Sequence, residues 1–539
     1  MPREAPQPRI REGFLVVVLA ACASLAAFLY YFRQDALLLY GDAVAHLHIA
    51  RRVVDGRYPG PFELGTVWLP LPHILMLPLV AVDWMWRTGA AGAVVSMISY
   101  VAGTVGVFRL VRGAVAPEAT GRRVAPWLAA AVFALNPNLL YLQTTAMTEP
   151  LYLALFVWTV VFLAEFARGA REGEAGAGRW LERAAIALSA AMLTRYDGWF
   201  LAAACGPIAG WLMWQQRGSA PAALKRSFRN FLLLTALTPA LWLAWNFGEY
   251  GRALEFATGP YSARAIEQRS ARGSHPLHPG EGSLPLAALY FGKAAQLNLG
   301  PGRAAQALML AAALGALLGL RRRRGGTALL LWVPLPFYAI SVAYAATPIF
   351  VPVWWPFSYY NVRYGTELLP AVAVGAGLLA ANIRGRVGQV AAAAIGLLAV
   401  VSYGGSWRSG PVSLAEARVN AVTRVAFEAK LATELRKLPP GSMLLMYCGN
   451  HPGALQQAGI PLRRVIHEGS RTIADGEYGE WERALELPGA YADYVVAIAG
   501  DPAAMSAARN AGQLQAVAVV ESPGQPRAVI WKTKAAPGR

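Results

Sequence analysis

Cysteine is scarce in this sequence: 539 residues contain three, Cys22, Cys205 and Cys448, far apart and two of them inside apolar segments. That spacing offers neither a disulfide framework nor a CxxC metal site. Charge is scarce as well, 15% of residues against 56% hydrophobic, a balance that belongs to lipid-embedded chains rather than soluble globular ones. Acid is the scarcer sign, with 31 Asp and Glu against 49 Lys and Arg for a net charge of +18, and arginine greatly outnumbers lysine. A nucleic-acid binder can carry such a surplus, but here the basic residues stand in short clusters between apolar runs, as in the cytoplasmic loops of a membrane protein. No nucleic-acid partner is expected. The first apolar run, 14 to 31, lacks a small-residue cleavage site, so it reads as a retained helix and not as a removed signal peptide.

What is present is a series of apolar segments near 14 to 31, 90 to 111, 125 to 141, 149 to 167, 184 to 194, 198 to 216, 230 to 247, 305 to 320, 326 to 347, 364 to 382 and 388 to 404. One further stretch, WLPLPHILMLPLVAVDWMW from Trp68 to Trp86, has three prolines and flanking tryptophans that suit a segment lying in the membrane interface. If it does not cross, and the N-terminus is cytoplasmic, the arginine clusters at 112 to 123, 168 to 183, 217 to 229, 321 to 324 and 384 to 386 all fall inside. If it crosses, the same clusters fall outside. The positive-inside rule therefore selects about eleven transmembrane helices, with interfacial helices in the first outer loop. The stretch from 248 to 304 is then a long outer loop without obvious secondary structure, including an SHPLHPGEGS segment with His275 and His278.

Beyond residue 406 the composition changes. A helix-like stretch from Ser413 to Lys437 and a Pro-Pro-Gly turn precede the short apolar runs MLLMYC, YVVAIAG, LQAVAVV and AVIWK, which read as strands. The expected architecture is an all-α polytopic membrane domain over 1 to 406 and a small extracytoplasmic α/β domain over 407 to 539.

Under this topology several polar residues share the outer face. Asp42 is either an N-cap of a helix or an acid able to deprotonate a hydroxyl. His46 lies one turn after Asp42 on the same helical face, whereas His46 and His48 point to different faces; Asp42, His46 and Glu149 leave open a divalent ion, Mg or Mn. Thr148-Glu149-Pro150 carries ordinary helix-start chemistry, yet also sets a carboxylate at the membrane boundary. In LTRYDGW, Arg195 and Asp197 suit a turn-stabilising ion pair, and Arg195 equally suits a phosphate. Arg363, at the mouth of a helix, reads as a headgroup anchor or as one jaw of a phosphate clamp.

The order of these features resembles the GT-C superfamily of polytopic glycosyltransferases, especially bacterial relatives of protein O-mannosyltransferases and the lipid A aminoarabinose transferase. The resemblance covers roughly residues 14 to 404 and rests on GDAVAHLHIARRVVDG, WLPLPHILMLP, LNPNLLYLQTTAMTEPL, LTRYDGW and VRYGTELLP. It implies a multi-pass protein of the bacterial inner membrane, among membrane lipids. Its reaction would be an inverting transfer of a sugar, a mannose-like hexose or a pentose, from a polyprenyl-phosphate carrier to an acceptor lipid, glycan or protein on the extracytoplasmic face. It further implies Asp42 as general base, Glu149 as a second acid for acceptor or metal, and Arg195 and Arg363 as partners of the departing phosphate. One departure is Ala43, where many relatives carry a second acid beside the first, which favours chemistry without a metal pair. A transporter or flippase of a lipid-linked substrate is the rival; it calls for polar residues spread through the midplane, not gathered at one face.

Overall fold

The structure is a computed structural model that describes residues 8–65, 67–115, 123–174, 176–216, 221–270, 278–320, 326–383, 385–470 and 478–534. His275, the arginine run at 321 to 324 and Arg384 lie outside the described residues.

Helix α1 (Pro8–Phe32) leads to three short helices, α2 (Gly41–Asp55), α3 (Leu71–Val80) and α4 (Asp83–Thr88), before the long α5 (Ala90–Ala114). Then follow α6 (Val124–Ala134), α7 (Pro137–Leu142), α8 (Glu149–Arg171), α9 (Gly178–Met192), α10 (Asp197–Gln215) and α11 (Ala222–Tyr250). After α12 (Glu255–Thr258), α13 (Ala263–Ser270) and α14 (Leu284–Leu299) come α15 (Gly302–Leu320), α16 (Pro334–Tyr344), α17 (Leu369–Asn382), α18 (Gly385–Ser409) and α19 (Val412–Leu435). All eleven expected crossing segments fall on helices, and eight helical stretches among the described residues are long and apolar enough to span a membrane. The other three segments correspond to α6, α9 and α10.

Burial sorts these helices into layers. The stretch holding α17 is the most enclosed, with 89% of its apolar window buried, whereas the corresponding figure is 17% for α1 and 22% for α11. Phe14, Leu19 and Leu25 on α1, and Val387, Leu397 and Val400 on α18, are exposed, the outward apolar belt that a lipid environment requires. At the centre, glycines set the helix spacing: a Cβ at Gly315 would strike the Gly375 carbonyl oxygen, so α15 and α17 meet backbone to backbone.

Trp68 to Trp86 does not form one span. Its main helix, α3, has 10 residues, about 15 Å of rise against a hydrocarbon core of about 30 Å. It lies on α2, where Arg51 donates from Nη1 to the Val80 carbonyl at 2.5 Å and His46 meets His73. The stretch 284 to 299, by contrast, is a helix inside the expected structureless loop. Pro285 opens α14, and Lys293, Gln296 and Asn298 break its apolar run, which hid it in the sequence. Both ends of α14 are tied to the same face of the bundle, through Gly282 to Ala343 and Gly300 beside Ser402.

The C-terminal segment builds a sheet from β1 (Leu444–Met446), β2 (Val465–Ile466), β3 (Tyr494–Ile498), β4 (Leu514–Val520) and β5 (Ala528–Thr533), in the order β2-β1-β3-β5-β4. β1 pairs in parallel with β2 and β3, while β5 runs antiparallel to β3 and β4. Side chains alternate between two interiors, as the strand period requires. Leu444, Met446, Val496 and Ile498 join the apolar interior shared with the helices, and Leu445, Ile466, Val495 and Ala497 form a second core with Trp481. This segment is fastened to the first loop: Arg57 grips Glu480 at 2.8 and 3.0 Å, Arg463 pairs with Asp55, and Gln456 donates to the Trp86 carbonyl at 2.6 Å.

Glu63, behind α2, has Arg52 3.4 Å away yet is only 7% exposed. Burial, helped by Glu249 and Glu468 and opposed by Arg52, pushes its carboxyl up to about 7 from an ordinary 4.5. Between those values the folded chain holds a proton that the unfolded chain releases, so stability falls as pH rises through this window. Glu63→Gln is expected to match the parent in thermal melting at pH 4.5 and to exceed it at pH 8 by roughly 1–3 kcal/mol. A difference that does not change with pH would remove this assignment.

Candidate active site

Asp42 occupies the first turn of α2, but Tyr40 is the cap residue and no side chain caps this helix. The Asp42 carboxylate instead reaches Arg363, whose Nη2 donates to Oδ2 at 2.6 Å. Arg363 stands in a 3-10 segment, Val362–Leu368, entered through Asn361 at φ 53°, a left-handed conformation that asparagine tolerates well. From there its guanidinium divides among three carboxylates: Asp42, Glu149 through Nε at 3.1 Å, and Glu416 through Nη1 at 2.8 Å. The backbone N–H of Arg363 donates to the second Glu416 oxygen at 3.0 Å. With 6% of its surface exposed, Arg363 is not a headgroup anchor.

Glu149 begins α8 and is fully buried. Its Oε1 lies 3.1 Å from Arg363 and 3.4 Å from Arg195, so one carboxylate oxygen joins the two arginines. Thr148 does not cap α8; its hydroxyl accepts from Arg195 Nη1 at 3.1 Å. Arg195 completes the expected turn pair with Asp197 at 3.2 Å, and also reaches Glu367 at 3.2 Å and the Tyr338 hydroxyl at 3.0 Å. The Tyr364 ring lies between the two guanidiniums, at 4.9 Å from Arg363 and 5.0 Å from Arg195, and Tyr40 covers Arg363 from another side at 5.0 Å.

The structure thus brings Asp42, Glu149, Arg195 and Arg363 together, as the sequence proposed, and separates His46 from them. His46 Nδ1 faces His73 Nε2 at 2.9 Å, and its ring lies against Trp68. Burial first, then His73, Arg195 and Arg363, hold this imidazole well below its usual range, so it is neutral. Among the described residues no three His, Cys, Asp or Glu side chains gather as a metal-ligand set. Asp42 and Glu149 are both engaged by Arg363 in this arrangement.

Three participants escaped the sequence reading: Glu367, Tyr338 and Glu416. Glu367 lies within VRYGTELLP, four residues past Arg363, a spacing that could have flagged it. Glu416 comes from α19, whose start is held by Asn138 Oδ1, accepting from the Ser413 backbone and hydroxyl at 2.9 Å each. α19 therefore supplies a wall of the cluster. Glu416→Ala frees one guanidinium arm while two carboxylates remain, so an expected stability loss of about 1–3 kcal/mol should appear as a lower melting temperature of the purified protein. An unchanged melting temperature would show that α19 is not coupled to the site.

Chemically, carboxyl groups outnumber guanidiniums here, five (Asp42, Glu149, Asp197, Glu367, Glu416) to two. Four of the acids are almost completely buried; the Asp42 side chain alone among the five is 39% exposed. One of its oxygens is on Arg363 and the other has no protein partner described.

Residues 94–249 match the model of a family described as dolichyl-phosphate-mannose-protein mannosyltransferase, a span that includes Glu149 and Arg195 but not Asp42 or Arg363. In overall fold the chain is similar to ArnT from Cupriavidus metallidurans bound to undecaprenyl phosphate, with a TM-score of 0.56, 13% identity, and 97% of this chain aligned to 99% of that one. The apo form of the same protein gives 0.54 at 13% identity, with the same coverage of both chains. The oligosaccharyltransferase of Archaeoglobus fulgidus in its apo form gives 0.45 at 12% identity, over 90% of this chain and 69% of that one. A comparison with curated protein sequences finds no match. The resemblance to GT-C glycosyltransferases is borne out by the family match and the ArnT-like fold.

Proposed function

We propose that the chain is an inverting glycosyltransferase that moves a sugar from a polyprenyl-phosphate carrier to an acceptor hydroxyl at the extracytoplasmic surface, with Asp42 as general base. The observation that carries this reading is the half-engaged, partly exposed carboxylate of Asp42: one oxygen is bound to Arg363 and the other has no protein partner described.

In the resting arrangement Arg363 occupies one oxygen of the Asp42 carboxylate. A donor phosphate competes for the same guanidinium, because one hydrogen on each of Nη1 and Nη2 is left over from the three carboxylate bonds. As the phosphate takes Nη2, Asp42 is released toward the acceptor. Asp42 then accepts the hydroxyl proton while the acceptor oxygen forms its bond to the anomeric carbon. The bond from that carbon to the phosphate oxygen breaks, and the electron pair leaves on the polyprenyl phosphate, where Arg363 meets the growing charge. Arg195, enclosed by Asp197, Glu367, Tyr338 and Glu149, orients Glu149 and through it Arg363. The ArnT structure was solved with undecaprenyl phosphate, a ligand of the class proposed for this site. The extracytoplasmic orientation is supported by Arg112, Arg168 and Arg171, at the ends of α5 and α8 far from Asp42.

The test is a reconstituted system of purified chain in liposomes with a synthetic polyprenyl-phosphate sugar carrying a labelled sugar, offered lipid, glycan and protein acceptors in turn. The label should appear on one acceptor class together with free polyprenyl phosphate. Movement of the intact carrier between leaflets without its cleavage would establish the flippase reading instead.

A further inference from the structure

At the end of the bundle away from Asp42, the last turns of α5 and α8 and the start of the 3-10 stretch Gly326–Trp332 line a shallow cleft open to the outside. Glu165 on its wall is 16 residues past Glu149 on α8, about 24 Å along the helix axis, so the cleft is separate from the acidic site.

Two kinds of surface line it. Its rim carries Arg109, Arg168 and Arg171 with Glu165, which pairs with Arg109 at 3.3 Å and with Arg168; Glu172, just beyond the rim, lies 3.9 Å from Arg168, so the arginines still outnumber the acids. Arg109 and Arg168 remain 39% and 40% exposed, so neither is sealed in by its pair. The floor is apolar and low, with Val161, Ala164 and Ala167 on α8 facing Leu110 and Gly113 on α5. A Cβ at Gly113 would meet nothing within 4 Å, which marks open space beside that floor. Arg109 is held by tryptophan rings, Trp158 at 5.7 Å and Trp180 at 5.2 Å, and Trp180 also takes Arg179 and Arg183 on its ring at 5.0 and 4.8 Å. Tryptophan with arginine beside it is the chemistry of the headgroup level.

We infer that this cleft binds an anionic phospholipid, its phosphate against Arg109 and Arg168 and the upper part of an acyl chain along the alanine and glycine floor. A soluble anion would use the rim and ignore the floor, and a zwitterionic lipid would use the floor and find a surplus of positive charge. An anionic lipid uses both. Assignment of the occupant to the cytoplasmic leaflet rests on the orientation proposed above; the binding itself does not.

The experiment uses the full chain purified in neutral detergent, with phosphatidylglycerol, phosphatidylcholine or inorganic phosphate added, read by native mass spectrometry and thermal melting. Phosphatidylglycerol is expected to bind and to raise the melting temperature above the other two. Arg168→Gln and Arg109→Gln should each weaken phosphatidylglycerol by about five-fold. Gly113→Leu, which keeps every charge and fills the floor, should weaken it as well, while Glu165→Gln should strengthen it. Equal binding of phosphatidylcholine, an equal effect of inorganic phosphate, or phosphatidylglycerol binding untouched by both Gly113→Leu and Arg168→Gln would overturn the proposal. Melting without added lipid shows which variants are folded, and Glu165→Gln tests the sign of the charge effect even if an arginine variant is not.

Discussion

Asp42→Asn is expected to lower the rate of sugar transfer by about 10²–10⁴-fold, the range lost when a positioned general base is removed, and to leave the protein folded. The fold should survive because Asp42 is the most exposed acid of the cluster, and asparagine keeps an oxygen that can accept from Arg363. The change therefore isolates proton abstraction from the architecture around it. Transfer should be measured in liposomes beside the melting temperature and the affinity for polyprenyl phosphate. Carrier affinity should stay within a few-fold of the parent. Undiminished transfer would end the assignment of Asp42 as base, whichever acceptor is used.

Arg363→Ala is expected to have the largest effect on the molecule as a whole. It strands Glu416 in the interior, leaves Glu149 with Arg195 alone, and breaks the tie between α2, α8 and α19. Removing one partner of a buried ion pair costs about 3–5 kcal/mol, so this variant should melt far below the parent and lose transfer. Arg363→Lys separates the stabilising role from the role in binding phosphate. An ammonium restores one positive charge but cannot fork across three carboxylates or bind a phosphate in a planar, bidentate manner. The lysine variant should therefore regain part of the stability while KM for the polyprenyl-phosphate sugar stays about ten-fold or more above the parent. A lysine variant with unchanged KM would mean that Arg363 stabilises the cluster and does not touch the donor.

Asp42, Glu149, Arg195 and Arg363 were legible in the sequence because each interrupts or abuts an apolar segment, where an ionisable group has to be accounted for. Their convergence was legible through span parity, which depended on reading Trp68 to Trp86 as interfacial; α3 is too short to cross and lies on α2, as that reading needs. The helix-start explanations of Asp42 and Thr148 did not survive, because both side chains turn to arginine. Glu416 was not legible. It is separated from Arg363 by 53 residues, on a helix with several other charges, and nothing local marks it as the acid that turns inward. Helix α14 was hidden for a related reason: its polar residues are satisfied by bonds within the helix end and, for Asn298, by the Val362 carbonyl at 2.6 Å, and such bonds leave no trace in a hydropathy pattern. His46 suggested a ligand by spacing from Asp42, yet α3 provides His73 as a nearer partner.

The central claim is that Arg363 and Asp42 form a site where a lipid-linked phosphate exchanges with a carboxylate. It is tested most directly by an experimental structure of the chain with polyprenyl phosphate. The account predicts phosphate density within hydrogen-bond distance of the Arg363 guanidinium, with the 2.6 Å contact to Asp42 opened and the Asp42 carboxylate turned away from Arg363. Phosphate bound elsewhere, with the Arg363–Asp42 pair intact, would contradict it.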